Sequence, residues 1–125
     1  MAADSPDAEP NSSQWPPQLD ARTAAPAYHA VLFENAHVRV LRTRIPAGHT
    51  VPLHTHCWPG VQFFESWSPL VRRDPQGNVT LDTRALADAP PLNTPLWLET
   101  LTLHTVENVG DREIISVQVE IKSAK

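Results

Sequence analysis

From Ala30 onward the apolar residues of this chain fall into short runs cut by turn residues, and nowhere do they recur at the 3.6-residue period of a helix. The last run is the cleanest. Between Glu113 and Lys122, Ile115, Val117, Val119 and Ile121 share one face of an extended strand, while Ser116, Gln118 and Glu120 share the other. The ordinary expectation puts the apolar face in the core and the polar face in water. Further strands are predicted over Val31 to Glu34, Val38 to Ile45, Val51 to His56, Val61 to Trp67, Leu70 to Arg73, Asn78 to Leu81 and Leu96 to His104. Asp74-Pro75-Gln76-Gly77 carries the preferences of a type I turn and predicts a hairpin around it. Pro90, Pro91 and Pro95 make residues 83–95 a loop for the most part. Many short strands with frequent turns place the chain in the all-β class, as a sandwich or barrel.

A length of 125 residues suits one domain. The formal net charge of -4, with no run of Lys or Arg, lacks the basic footprint that nucleic acid requires. No stretch is apolar enough to span a bilayer, and the acidic, Pro-bearing start does not read as an export signal. A single cysteine, Cys57, cannot form an intramolecular disulfide, so the expected compartment is the cytoplasm. Residues 1–26 are rich in Ala, Pro, Ser and Asp and predict a flexible or loosely docked arm before a barrel over residues 27–125. Trp15 is the side chain by which that arm would dock on an edge strand or a partner subunit.

The chemistry is concentrated in Gly48-His49-Thr50-Val51-Pro52-Leu53-His54-Thr55-His56. Alternate strand residues point the same way, so His54 and His56 project side by side at a spacing that suits one shared metal ion. Alone, the pair is equally compatible with two hydrogen-bonded structural histidines. A third, His104, ends a later predicted strand and is followed, after three intervening residues, by Asn108.

Here the chain resembles the cupin superfamily. Its first motif runs Gly, five residues, His-x-His, three or four residues, Glu, and its second ends in His, three residues, Asn. Gly48 to His56 and His104 with Asn108 match these elements. The resemblance implies a small double-stranded β-helix, or jelly-roll barrel, with one divalent metal ion on His54, His56 and His104. The motif-one Glu would fall at Gly60 or Val61, neither of which offers a ligand. Gln62 therefore becomes a weak ligand or a residue that holds a water, while Glu65 should face away. The Pro-x-Gly turn expected before the second motif is replaced by Glu99-Thr100-Leu101.

Imidazole suits Fe, Zn, Ni and Cu, and Mn stays open. Within cupins, three histidines without a carboxylate resemble the iron-dependent thiol and diketone dioxygenases. That implies Fe(II) and a small chelating organic substrate, with Trp58, Phe64 and Trp97 as candidate pocket walls. Two other functions fit: a non-catalytic sensor or storage module for a metal or small molecule, or an isomerase with His54 or His104 as acid or base. Cupins commonly cover their sheet edges by dimerising, so a homodimer is implied, with no nucleic-acid or membrane partner.

Other residues draw plainer expectations. His49 reads as a surface histidine, and His29 and His37 lie in or beside early turns with no ligand-spaced partner. Arg72 and Arg73 are adjacent on one strand, so if one reaches inward toward a substrate carboxylate the other faces water.

Overall fold

The structure is a computed structural model and describes residues 16–122. Among these, nine strands form in the order β1 (His29–Glu34), β2 (Val38–Ile45), β3 (Thr50–His56), β4 (Gly60–Ser66), β5 (Leu70–Arg73), β6 (Val79–Asp82), β7 (Leu96–Leu98), β8 (Leu101–Asn108) and β9 (Ile114–Ile121). They make a five-stranded sheet, β1-β2-β9-β4-β7, facing a four-stranded sheet, β3-β8-β5-β6. Every strand pair is antiparallel. This is the all-β jelly roll that the sequence predicts.

The single strand expected from Leu96 to His104 is two. Residues Glu99 and Thr100 break it, so that β7 pairs with β4 in one sheet and β8 with β3 and β5 in the other. The break is the crossover that carries the chain between sheets, and hydrophobic pattern alone does not mark it. Asn108, at the end of β8, fixes the following turn: its amide donates to the carbonyls of Ile45 (2.9 Å) and Arg112 (2.7 Å), and its oxygen accepts from Gly110 (3.0 Å).

The register of the five-stranded sheet assigns side chains to rows. One inner row runs His29, Thr43, Ser116, Phe64, and the next includes Leu41, Gln118, Gln62 and Leu96. The outer face carries the row Phe33, Val40, Val119, Val61, Trp97, apolar across all five strands. Its ends are open, with Phe33 54% and Trp97 58% exposed. The expectation for β9 is thus inverted. Ser116, Gln118 and Glu120 are buried inside the barrel, and Val119 and Ile121 lie on its outer surface. The apolar part of the interior is supplied by Ile45, Val51, Phe64, Leu70 and Ile114 from both sheets.

Residues 16–26 sit against the barrel. Pro17–Leu19 forms a 3-10 turn, and the four-residue helix α1 (Ala21–Ala24) follows, capped by the Asp20 carboxylate, which accepts from the Arg22 amide at 3.1 Å. Ala21 and Ala25 are fully buried, Asp20 bridges to Thr55 of β3, and the Thr55 hydroxyl donates to the Leu19 carbonyl at 3.2 Å. Contacts of this kind, small buried alanines and an ion pair, leave little hydrophobic signal in the sequence. Trp15 lies outside the described residues. No helix among the described residues is long and apolar enough to cross a membrane.

Candidate metal centre

Four histidines meet inside the barrel. His54 and His104 stand directly opposite each other in the β3–β8 ladder, with ring centroids 4.3 Å apart. His56, two residues along β3, is 4.9 Å from His54 and 5.7 Å from His104. The fourth is His29, which approaches from β1 in the other sheet, 4.9 Å from His54 and 5.5 Å from His56. All four are at most 6% exposed. His29, His54 and His56 bring a ring nitrogen apiece to within 4.8 Å of one another and could hold a metal ion.

The expectation that His29 has no ligand-spaced partner is overturned. No local spacing could have revealed it, because the proximity is made by the packing of one sheet on the other. The only sequence signal was indirect: a strand with Ser116, Gln118 and Glu120 in alternation can bury a polar face only where other polar groups await it. His49 and His37 are exposed, and His49 Nδ1 lies 3.2 Å from the Tyr28 hydroxyl.

Hydrogen bonds orient three of the rings alike. Nδ1 of His54 donates to the Pro52 carbonyl (2.7 Å), that of His104 to the Thr102 carbonyl (2.5 Å) and that of His29 to the Ala25 carbonyl (3.0 Å). A carbonyl oxygen can only accept, so Nδ1 bears the proton and Nε2 keeps its lone pair. This is the arrangement by which backbone carbonyls set the tautomer of metal-binding imidazoles. Burial, reinforced by the neighbouring His56, lowers the pKa of His29 to about 4 and that of His104 to about 3. His54 is lowered further by burial and the surrounding imidazoles. Neutral rings at neutral pH are the form that binds metal.

His56 is held differently. Its Nδ1 is 3.4 Å from Glu120 Oε2, and the other oxygen of Glu120 accepts from Arg39 Nε at 2.6 Å. Arg39 also makes a two-pronged pair with Asp20, at 2.8 and 2.9 Å, and its guanidinium lies 4.9 Å over the Trp58 ring. Burial opposes the Arg39 charge, yet its pKa is raised because the bonds to Asp20 and Glu120 outweigh that cost. A buried chain of alternating charge thus links α1 to the histidine cluster.

The cluster lines a chamber of about 70 Å³ with Phe64, Gln62, Gln118 and Ser116 among its other walls. Gln62 lies in the chamber, and its oxygen accepts from Gln118 Nε2 at 3.3 Å. Gly60 and Val61 could not have carried the missing carboxylate. A Cβ on Gly60 would lie 1.9 Å from the Val119 carbonyl oxygen, and Val61 belongs to the outer row. Glu65 is exposed and 3.4 Å from Arg42.

Of the three expected pocket walls only Phe64 is one, packed edge-on against Trp67 at 4.9 Å. Trp58 lies beneath Arg39 and Lys122, outside the chamber, because β3 has ended before it. Trp97 faces outward, since its partner in the ladder is Val61, and its indole donates to Glu99 at 2.6 Å.

Solved structures similar to this two-sheet antiparallel jelly roll include proteins described as cupins. A cupin domain from Bordetella pertussis Tohama I matches at 26% identity and a TM-score of 0.60, over 76% of this chain and 92% of its own. An RmlC-like cupin protein from Desulfovibrio desulfuricans matches at 14% identity and a TM-score of 0.46, over 96% and 95%. A cupin superfamily protein from Desulfitobacterium hafniense DCB-2 matches at 10% and 0.45, over 74% and 75%. No family model and no curated protein matches the sequence. The chain is a small cupin in fold, with a buried histidine group able to take a metal.

Proposed function

We propose that this cupin binds one divalent metal ion through His54, His56 and His104, with His29 as a fourth imidazole in place of the missing carboxylate. The observation that carries the reading is the shared hydrogen-bond pattern of His29, His54 and His104, which commits each Nδ1 proton to a carbonyl and leaves Nε2 free. Buried imidazoles with no other use for that lone pair fit a metal by the chemistry of the donor set. Fe(II) is favoured, and Zn, Ni, Cu or Mn fit the same donors less specifically. When bound, iron would supply redox chemistry toward dioxygen, which makes a dioxygenase acting on a small chelating organic molecule the preferred activity. The residues' own part is to hold that molecule in a chamber walled by Phe64 and Leu70 and to keep bulk water out.

Elemental mass spectrometry on protein purified without a metal-affinity tag tests the binding. One equivalent is expected in the native chain, none in His54→Ala, and weakened retention in His29→Ala and His104→Ala. Metal-free native protein after loading would end the proposal. Oxygen uptake by the iron-loaded protein with thiols, diketones and phenolics then separates an enzyme from a sensor or storage module, which would retain a ligand unchanged in air.

The proposal includes a cytoplasmic homodimer. The outer row from Phe33 to Trp97 supports a second copy as its cover, since an apolar row across a whole sheet resembles an interface core.

A further inference from the structure

One cation in the chamber wall is left unused by the metal reading. Arg72 lies on β5 between Leu81 of β6 and Val106 of β8. It lines the histidine chamber, and it also lines an outer cleft of about 240 Å³ bounded by Thr80, Thr100, Thr102 and Asp74. Arg72, Leu101 and His104 are common to both spaces, so the guanidinium stands where the cleft adjoins the cluster.

The contrast with Arg73 is informative. Arg73, on the opposite face of the same strand, pairs with Glu107 at 2.8 Å. The Arg72 guanidinium makes no hydrogen bond and no ion pair among the described residues, and its Nε is buried without a partner. Each acid that might have answered it is committed elsewhere. Glu107 is held by Arg73, and Asp74 accepts from the amides of Gln76 and Asn78 and from the Asn78 side chain within its own turn. Burial lowers the Arg72 pKa, and no carboxylate opposes the shift. Arginine nonetheless stays charged, and its fork of N–H groups matches a carboxylate. Thr43 Oγ1 and Gln118 Oε1, on residues that line the same chamber from the opposite sheet, are also buried without partners among the described residues.

We propose that Arg72 is the anion-recognition residue of this site and holds the carboxylate of a small organic acid whose other end reaches the histidine cluster. The inference rests on the metal reading above and narrows its substrate class. A chamber of about 70 Å³ gives room for roughly five waters, so the part of the acid inside it has only a few heavy atoms. Arg73, tied to Glu107, has no share in recognition.

Calorimetric titration of the full chain, loaded with Zn(II) to avoid turnover, tests this with lactate and 3-hydroxypropionate, each against its neutral amide. The acids should bind, and the amides should bind about tenfold more weakly or not at all, as expected for loss of a charge-assisted pair. Arg72→Gln should lose about the same factor with its metal content and thermal midpoint unchanged, and Arg72→Lys should fall between. Equal binding by Arg72→Gln and the native chain overturns the assignment. So does a loaded native chain that takes neither acid, or that takes inorganic phosphate instead. Should the native chain hold no metal, the metal reading fails on its own. The acid titration of the metal-free protein then judges Arg72 alone, and an unchanged Arg72→Gln overturns it.

Discussion

On β9, Ser116, Gln118 and Glu120 look into the barrel, while Val119 and Ile121 look out of it. The inner face is the more polar and the more buried of the two. Burying such groups is costly unless each finds a partner, and here most do: Glu120 has Arg39 and His56, and Gln118 has Gln62. The outer face has the reverse problem. Its apolar row is flanked by Arg42 and Phe63 on either side of Val117, but its ends at Phe33 and Trp97 stay open. What the comparison teaches is that alternation reveals which residues share a face, whereas which face is inside depends on what the opposite sheet supplies. In this barrel the opposite sheet supplies histidines.

The sharpest way to break the inner face is acid. His29 and His104 have pKa values near 4 and 3 in the folded protein against about 6.5 in an unfolded chain, and His54 is depressed as well. Between these values the unfolded state binds more protons than the folded state, so stability is full above pH 6.5 and falls as the pH drops toward 4. Each proton contributes a slope of about 1.4 kcal/mol per pH unit, and three histidines act together. Urea unfolding of the metal-free protein at pH 7, 6 and 5 should therefore show a steep drop in midpoint. A flat midpoint would mean that the rings take up protons as readily in the folded as in the unfolded chain and that the inner face is wet.

A smaller break removes one partner of the ion chain. Arg39→Ala leaves Glu120, 1% exposed, and Asp20 without their counter-charge. Removing one member of a buried pair costs about 3–5 kcal/mol, and Arg39→Lys should recover part of it. The same variant should free residues 16–26 for proteolysis, because Asp20 ties that segment to the barrel through Arg39. Loss of stability without faster cleavage there would leave the segment held by Ala21 and Thr55 alone.

Much of this was legible in advance. Turn chemistry at Asp74 to Gly77 and period-two runs gave every strand but β7 and β8 to within a residue or two, and the parity of His54 and His56 put both on one face. His104 followed from its place on a later strand. Three things were not legible. His29 reaches the cluster only because two sheets pack, the β7–β8 break exists only because the chain must change sheets, and Trp97 faces outward because of its ladder partner. Each is a fact about residues distant in sequence, where local pattern carries no information.

The outer face should give the smallest effect on the single chain and the clearest one on assembly. Phe33→Ser with Trp97→Ser removes the two exposed ends of the row, where neither ring is buried. Surface changes of this kind shift the folding free energy by about 0.5 kcal/mol or less. If a second copy covers the row, the native chain should scatter light as a dimer and the double variant as a monomer, with nearly the same denaturation midpoint at high dilution. A native monomer would remove the homodimer and leave the apolar row an exposed surface. A double variant that stays dimeric would move the interface to another face, while a large loss of stability without any change in mass would mean that the two rings pack within the chain itself. Only the first outcome keeps the division of β9 into a face that binds and a face that assembles.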